Sequence, residues 1–459
     1  MDNDMNRIQE QIQFCIRGEL WDTLHPLLDQ LHPADIADVI ENAPDDVQNR
    51  IFELLDDETK ADVLAELDDS TEADILEELT AEEISGLVEE MAPDDAADLL
   101  GDLEDERSAE ILELMEDEDS EEVRELLRYD EDSAGGIMTT DFVDLHSTET
   151  AQEALDYMSS LDLDEPIYSA YIIDAAGKLI GHVQLWQLIK AENRNKTLGE
   201  LAETDLFSTH PETDQEEVAQ IMSKYDLSSL PVVDADSKLV GRITIDDMVD
   251  VIEEEASEDI FKFAGSDDAE LEDPSPFASC KVRLPWLLIT LGTGFITSMI
   301  LKAFIYRITA MEVLALSFFV PIVMGMGGNT GIQSSTLIIR GLALGSFNEK
   351  KLYRLLFREM ATGMLMGLIC GSVIGVWARF VIGNASAFNP AFLAFAVGLA
   401  LFSAMMFAAI FGAFVPLLLN RFKIDPAVAS GPFVSASNDI IALLIYYGIT
   451  FLLIGTQIA

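Results

Sequence analysis

Five apolar stretches dominate the chain from Leu284 onward: roughly Leu284–Tyr306, Val313–Ile339, Met360–Ile382, Phe392–Leu419 and Phe433–Ile454. Each exceeds the ~20 residues with which a helix crosses a bilayer core. Because lipid offers no partner to a free backbone group, this part is expected to be a five-helix α transmembrane domain. The charges between the stretches set its orientation. Placing the N-terminal part inside puts Lys281, Arg283, Arg340, Lys350, Lys351, Arg354, Arg358, Arg421 and Lys423 on the cytoplasmic side and leaves Lys302, Arg307 and Arg379 outside. That bias follows the positive-inside rule and puts the C-terminus, Gly455 to Ala459, outside. The start of the chain, MDNDMNRIQE, has no basic then apolar pattern of a signal peptide, so the N-terminal part is expected to stay in the cytoplasm.

The preceding 280 residues are chemically different. They hold 15 Lys/Arg against 79 Asp/Glu, a balance of −64, whereas the remainder carries 12 against 5. A chain with so few cations does not bind nucleic acid, whose phosphates require them. Cys15, Cys280 and Cys370 lie far apart, which supports neither a disulfide framework nor a zinc site. No catalytic constellation or Walker A loop is present, so an enzyme is not expected.

From Leu31 an apolar residue returns every twelve positions, at Leu31, Ala43, Leu55, Leu67, Leu79, Met91, Leu103, Met115 and Leu127. Val39, Ile51, Val63, Ile75, Leu87, Leu99, Ile111 and Val123 keep the same beat. Units open on turn and cap residues such as Pro44-Asp45, Asp56-Asp57 and Pro93-Asp94, so each is read as one short helix. Such a helix cannot bury its apolar stripe alone, and residues 1–130 are therefore expected to stack as an α-helical superhelical repeat domain.

Over residues 131–252 strands alternate with helices, twice. Tyr171-Ile172-Ile173-Asp174 and Lys178-Leu179-Ile180-Gly181-His182-Val183 are echoed by Leu230-Pro231-Val232-Val233-Asp234 and Lys238-Leu239-Val240-Gly241-Arg242-Ile243. This α/β pattern resembles a tandem pair of CBS domains. Such modules often bind adenine nucleotides, and the family's pattern is met by Gly241, Thr244 and Asp247, so ATP is a possible regulator. The first copy has Gln184 and Gln187 at the matching positions, which leaves one conventional nucleotide site at most. A dimerisation module without a ligand is the alternative.

Between Thr244 and Ser279 stand thirteen acids and one base, Lys262. Asp247, Asp250, Glu254 and Glu258 share a helical face, where like charges repel. Apolar residues such as Val249, Val251 and Ile252 nevertheless call for packing, so an ordered helix that needs cations is expected. Oxygen ligands alone point to Mg²⁺ or Ca²⁺.

Two stretches of the membrane part are too polar for an anchor. The second reads Gly325, Gly327, Gly328, Asn329, Thr330, Gly331, Gln333, Ser334, Ser335 and Thr336, which suggests a broken, pore-lining helix. The last carries Asp439, the one acid well inside any stretch; Glu359 sits at the basic start of the third. An intramembrane carboxylate marks a functional site by default, here a cation pathway along the face shared by Ser435, Asp439, Ala442 and Tyr446.

Acidic repeats, two CBS domains, an acidic connecting helix and five spans, in that order, resemble the bacterial MgtE magnesium channels along essentially the whole chain. The most specific matches are Gly327-Gly328-Asn329-Thr330-Gly331-Ile332-Gln333-Ser334, Asp425-Pro426-Ala427 and Ser437-Asn438-Asp439. The resemblance implies a homodimer in a bacterial inner membrane with a central pore. It makes Asp439 the pore site for Mg²⁺, with Asn329 and carbonyls near Gly328 and Ala436 as neutral partners. It also implies a connecting plug helix, about Glu253 to Asp273 within a segment 253–280 that precedes the pore domain, 281–459. Bound Mg²⁺ is expected to close the channel. Asp247, Asp250, Glu254, Glu258 and Asp259 are the leading sensor ligands, with Asp94, Asp95, Glu216 and Asp226 as further ones. The expected function is passive Mg²⁺ uptake. A proton- or sodium-coupled divalent cation transporter and a non-conducting Mg²⁺ sensor are the rivals.

Overall fold

The twelve-residue beat becomes a twelve-residue spacing of helix starts. The computed structural model describes residues 2–161, 167–190, 192–267, 270, 275–305, 316–343, 349–382, 389–427 and 431–458. After α1 (Asp2–Arg17) and α2 (Trp21–Leu28) come α3 (Pro33–Glu41), α4 (Asp45–Phe52), α5 (Asp57–Ala65), α6 (Asp69–Glu78), α7 (Ala81–Val88), α8 (Pro93–Asp102), α9 (Asp105–Leu114) and α10 (Asp117–Leu126). Side chains cap several of these helices, although α4 and α8, which open on Pro44-Asp45 and Pro93-Asp94, have no side-chain cap. Asp56 accepts from the Thr59 amide, Asp68 from that of Thr71, and Thr80 with Glu83 forms a reciprocal capping box. Packing skips one helix at a time, α3 on α5, α5 on α7, α7 on α9, α4 on α6 and α8 on α10. A two-row superhelix results, with Ile36, Ile40, Ile51, Val63, Ile75, Ile84 and Ile111 fully buried between the rows. The guanidinium of Arg107 donates to the carbonyls of Leu76 and Leu79, which satisfies the open end of α6.

The α/β part is two copies of one hairpin. In the first, β1 (Asp144–His146) pairs parallel with β2 (Ser169–Ile173), which pairs antiparallel with β3 (Leu179–Gln184). In the second, β4 (Ser229–Val233) pairs with β5 (Leu239–Thr244), with Thr209 bridging Val232 where β1 would lie. The register slips at Ile172/Ile173 and again at Val232/Val233, equivalent points of the two copies. Helices α11 (Ala151–Met158), α12 (Leu185–Ile189), α13 (Leu198–Leu201) and α14 (Gln215–Tyr225) complete the module. The copies exchange their leading segments: Ser133 and Thr139 bridge Asp214 and Arg242 of the second, while Thr197 and Glu203 bridge Thr150 and His182 of the first. The second copy's core, with Val218, Leu230, Val232 and Met248, is continuous with that of the repeats.

Helix α15 (Ile245–Ala264) begins on β5 and runs through the expected boundary at 252/253 without interruption. It ends where Gly265 takes φ +76°, the left-handed backbone that glycine adopts freely. The connecting helix is therefore the far end of a CBS helix, and it stops nine residues short of Asp273, which itself lies outside the described residues. The chain divides into two compact units, Met1–Glu253 and Glu254–Ala459.

The second unit holds five long helices: α16 (Pro276–Ile305), α17 (Val320–Ala343), α18 (Glu349–Ile382), α19 (Pro390–Arg421) and α20 (Gly431–Ile458). Among the described residues four are long and apolar enough to cross a membrane; α17 is not, because its glycines and hydroxyls dilute its hydropathy. Tyr306, Arg307 and the expected start of the second span at Val313 lie outside the described residues. Contrary to expectation α17 is not broken. It is continuous from Val320 through the whole polar run, with turn residues only at Phe318 and Phe319, so its carbonyls there stay in the helical ladder. Helix α19 is the hub, packed on α17, α18 and α20, while α16 lies on α20. At Gly331 three helices meet, since a methyl group there would fall on the Asn438 side chain and the Gly331 carbonyl fills the space beside Gly412. Gly331→Ala is expected to cost about 1–3 kcal/mol through overpacking. Thermal unfolding of the detergent-solubilised protein checks this: a melting temperature several degrees lower is expected, and an unchanged one would refute the close approach.

Candidate cation sites

In the membrane unit the glycine face of α17 forms the seat of α20. A methyl group at Gly327 would stand 3.0 Å from the Ala442 Cβ, and one at Gly328 3.0 Å from Ser435 Oγ and 3.5 Å from Asp439 Oδ1. The face of α20 that carries the acid is graded. Ala442 and Tyr446 are buried, with the Tyr446 hydroxyl donating to the Leu316 carbonyl at 2.8 Å, whereas Ser435 and Asp439 are half-buried and reach the surface of the unit. Asn329 is exposed while its neighbours Gly328 and Thr330 are buried, so within one chain it points away from the seat of α20. The carbonyls of Gly328 and Ala436 belong to continuous helices and are not freed.

The sequence reading missed two polar features here. Glu359 is only 7% exposed and accepts from the Ser334 hydroxyl of α17 at 2.9 Å, with an Arg358 guanidinium nitrogen 3.4 Å away. Its place beside basic residues suggested a surface, but α18 starts ten residues before it, which is ~15 Å of helix. Asn438, next to Asp439, is buried, and neither of its side-chain atoms has a hydrogen-bond partner among the described residues.

Elsewhere in this unit the C-terminal part of α15 is tied to the loop before α20. Lys262 pairs with Glu258 one turn back and with Asp425 at 3.3 Å. Asp425 also accepts from the Ala427 amide at 2.7 Å. Burial, then the charges of Asp425 and Glu258, raise the pKa of Asp259 against the pull of Lys262 and Arg340. A methyl group on Gly431 would collide with the Phe263 carbonyl, so the end of α15 and the start of α20 touch through backbone.

The first unit gathers a second set of acids. Asp94, on α8, is 5% exposed, and its Oδ1 has no hydrogen-bond partner among the described residues. Burial, followed by the charge of Asp247, pushes its pKa up to about 7. Asp98, one turn on, is raised to about 7 by its crowded surroundings and by Asp94, Asp102, Asp247 and Glu131, although its side chain reaches solvent. Glu72 is raised to about 7 by burial and by Asp102, Asp69 and Asp98. Asp247 is also raised by burial, while the Thr244 hydroxyl donating to its Oδ2 at 2.5 Å favours the charged form. Partial burial and the neighbours Glu253 and Asp246 raise Asp250. The sequence thus located Asp94 and Asp247, and the fold brings them together with Asp98, Asp102 and Glu72, which no motif singled out. Glu216 and Asp226 stand at opposite ends of α14, Asp226 being the left-handed C-cap. Asp95 is half-buried and Glu254 exposed. Among the described residues no three acidic, histidine or cysteine side chains already stand close enough to hold one metal ion.

Family models match most of the chain. The divalent cation transporter model MgtE covers residues 320–449, the MgtE intracellular N domain 31–132, and the CBS domain 134–194 and 198–254. A curated protein of Thermus thermophilus named magnesium transporter MgtE is 38% identical over 330 residues, 71% of each chain. The chain belongs to the MgtE family. A second member, magnesium transporter MgtE of Bacillus subtilis, is 37% identical over 70% of each chain. MgtE proteins are thus named as transporters and not as enzymes. Among solved structures, the cytosolic domain of the Mg²⁺ channel MgtE in complex with ATP is 32% identical, covering 53% of this chain and 98% of that one with a TM-score of 0.49.

The acids of the first unit carry a pH signature. Asp94, Asp98 and Glu72 have folded-state pKa values near 7, above their unfolded ones, so their contribution to stability is complete below pH ~4 and lost as pH rises through ~7. With a chelator present, the melting temperature of the full-length protein is expected to fall from pH 5 to pH 8. Carboxylates with lowered pKa values, such as Asp56 and Asp68, act only at lower pH. Mg²⁺ should restore the melting temperature at pH 8 and do little at pH 5; a flat or rising profile would show that these acids are not crowded.

Proposed function

We propose that two copies of this chain form a Mg²⁺-selective channel for passive uptake across a bacterial inner membrane, closed by intracellular Mg²⁺. The observation that carries the reading is Asp439, a carboxylate on the accessible end of an otherwise buried α20 face, seated against glycines of α17. Mg²⁺ sheds its water reluctantly, so one carboxylate from each copy at a shared axis suits a hydrated ion. Asn329, exposed on α17 and turned away from that seat within one chain, is a neutral ligand offered toward the axis shared with the second copy. The curated relatives named as magnesium transporters support the choice of ion. Basic residues at the Lys281–Arg283, Arg340–Arg358 and Arg421–Lys423 connections support a cytoplasmic N-terminus and an outer C-terminus.

Closure is assigned to α15. One end of this helix carries Asp247 and Asp250, and the other is clasped to the loop before α20 by Lys262 and Asp425. With Mg²⁺ scarce, repulsion among Asp94, Asp98, Asp247 and their neighbours strains this arrangement, and bound Mg²⁺ relieves it. Moving a gate from 1:99 to 99:1 takes ≈5.5 kcal/mol, whereas one site couples by ~1–3, so several ions act together. Glu254, Glu258 and Asp259 on α15 complete the sensor. An adenine nucleotide is assigned to Thr244 and Asp247, so a nucleotide and Mg²⁺ compete for or share Asp247.

One observation favours a second reading. Glu359 is a buried membrane carboxylate hydrogen-bonded to the polar helix, a place where a coupled transporter would carry a proton. Mg²⁺ flux into liposomes lacking any proton or sodium gradient separates the two: undiminished flux supports the channel, and dependence on a gradient supports the exchanger.

Asp439→Ala is expected to abolish Mg²⁺ flux while the protein still runs as a dimer in size-exclusion chromatography; wild-type flux would remove Asp439 from the mechanism. The triple variant Asp250→Asn, Glu254→Gln, Glu258→Gln is expected to conduct at millimolar internal Mg²⁺. Patch recordings that show closure as complete as in the wild type would refute the sensor.

A further inference from the structure

A groove of about 760 Å³ runs between α18 and α19, on a part of the membrane unit that none of the cation sites uses. Its floor is glycine. Gly371 and Gly398 approach so closely that a methyl group on either would fall on the other's carbonyl, and a methyl group on Gly375 would stand 3.2 Å from the Ala394 carbonyl. With the floor stripped of side chains, the exposed rings of Phe380 and Phe395 and the edge of Phe402 stand up as walls. The groove extends from Gly367 to Arg379, twelve residues of helix and so ~18 Å. That is about one leaflet of a hydrocarbon core whose two leaflets span ~30 Å.

One end of the groove is cationic. Arg379 lies in the last turn of α18 and lines the groove. It is exposed and makes no ion pair among the described residues. The same end holds the N-terminus of α19, whose positive dipole end adds to the guanidinium. The plain alternative is an arginine that only reaches for water while lipids exchange freely past it. Against it stands the shape: an apolar channel of leaflet length that leads to a guanidinium with no ion pair among the described residues, the side chain best matched to a phosphate.

We propose that this groove binds one anionic membrane phospholipid, its acyl chain on the glycine floor and its phosphate on Arg379. The site is independent of the transport mechanism and of the cytosolic acids. By the charge bias of the loops it faces the outer leaflet.

Native mass spectrometry of the full-length protein, released from detergent after incubation with phosphatidylglycerol or phosphatidylcholine, tests the proposal. The wild type is expected to retain one phosphatidylglycerol per chain in preference to phosphatidylcholine. Arg379→Gln should retain it about tenfold less, the scale of one lost charge-assisted pair (~1.4 kcal/mol). Ser372→Phe, at an exposed position on the groove, should exclude both lipids with the melting temperature unchanged. Retention in both variants equal to the wild type overturns the proposal. A Ser372→Phe protein that changes its oligomeric state while keeping its lipid also overturns it, because the occupant would then be a second copy of the chain.

Discussion

The contact on which the membrane unit depends is the side-chain-free approach of α17 to α20 and α19 at Gly331. Without a Cβ there, the Asn438 amide of α20 and the backbone at Gly412 of α19 can both press against α17. That approach draws Thr330, Ser334 and Ser335 into the interior, where an ordinary apolar span would put leucines. It also fixes the height of Asp439, which stands one residue from the wedged Asn438. The polarity of α17 and the placement of the acid are thus two results of one packing decision. Lipid-exposed helices gain little from the hydrophobic effect in pairing, so close small-residue contact is the force available to hold such a unit together.

In the soluble unit the governing force has the opposite sign. Carboxylates from α6, α8 and α15 are crowded until Glu72, Asp94 and Asp98 hold protons near neutrality. A domain selected only for stability would have placed cations there. The cost is sensible if the unit is meant to sit near a balance that a divalent ion tips. Lys262 is the exception: it bridges Glu258 and Asp425, so the C-terminal end of α15 is clasped by a resident charge.

Much of this was legible in the sequence because it rests on period. The beat of Leu31, Ala43 and Leu55 gave helix starts twelve residues apart, and the doubled Tyr171 and Leu230 segments gave two hairpins with the same register slip. What period does not encode is distance across the fold. Nothing in the sequence set Asp98 and Asp102 apart from the other acids of α8, and only the fold lays Asp98 near Asp247. Glu359 was misplaced because local charge suggested a helix end, whereas the end is set by where α18 begins. The break expected in α17 was inferred from its glycines together with the polar run from Asn329 to Thr336. In the structure those glycines serve contact between helices, and the backbone has no reason to leave the helical ladder.

The exchanged leading segments of the CBS copies bear on how the module can be cut. Residues 133–139 close the second copy's sheet and 197–203 the first, with Ala134 donating to the Thr213 carbonyl and Gly199 to that of Ser147. A chain divided at the apparent border near residue 195 would leave one fragment lacking its own edge and carrying its sibling's. The two copies are therefore interlocked like the halves of a clasp. A pull on α15 is borne by the pair, and through the core that the second copy shares with the repeats it is borne by the whole first unit.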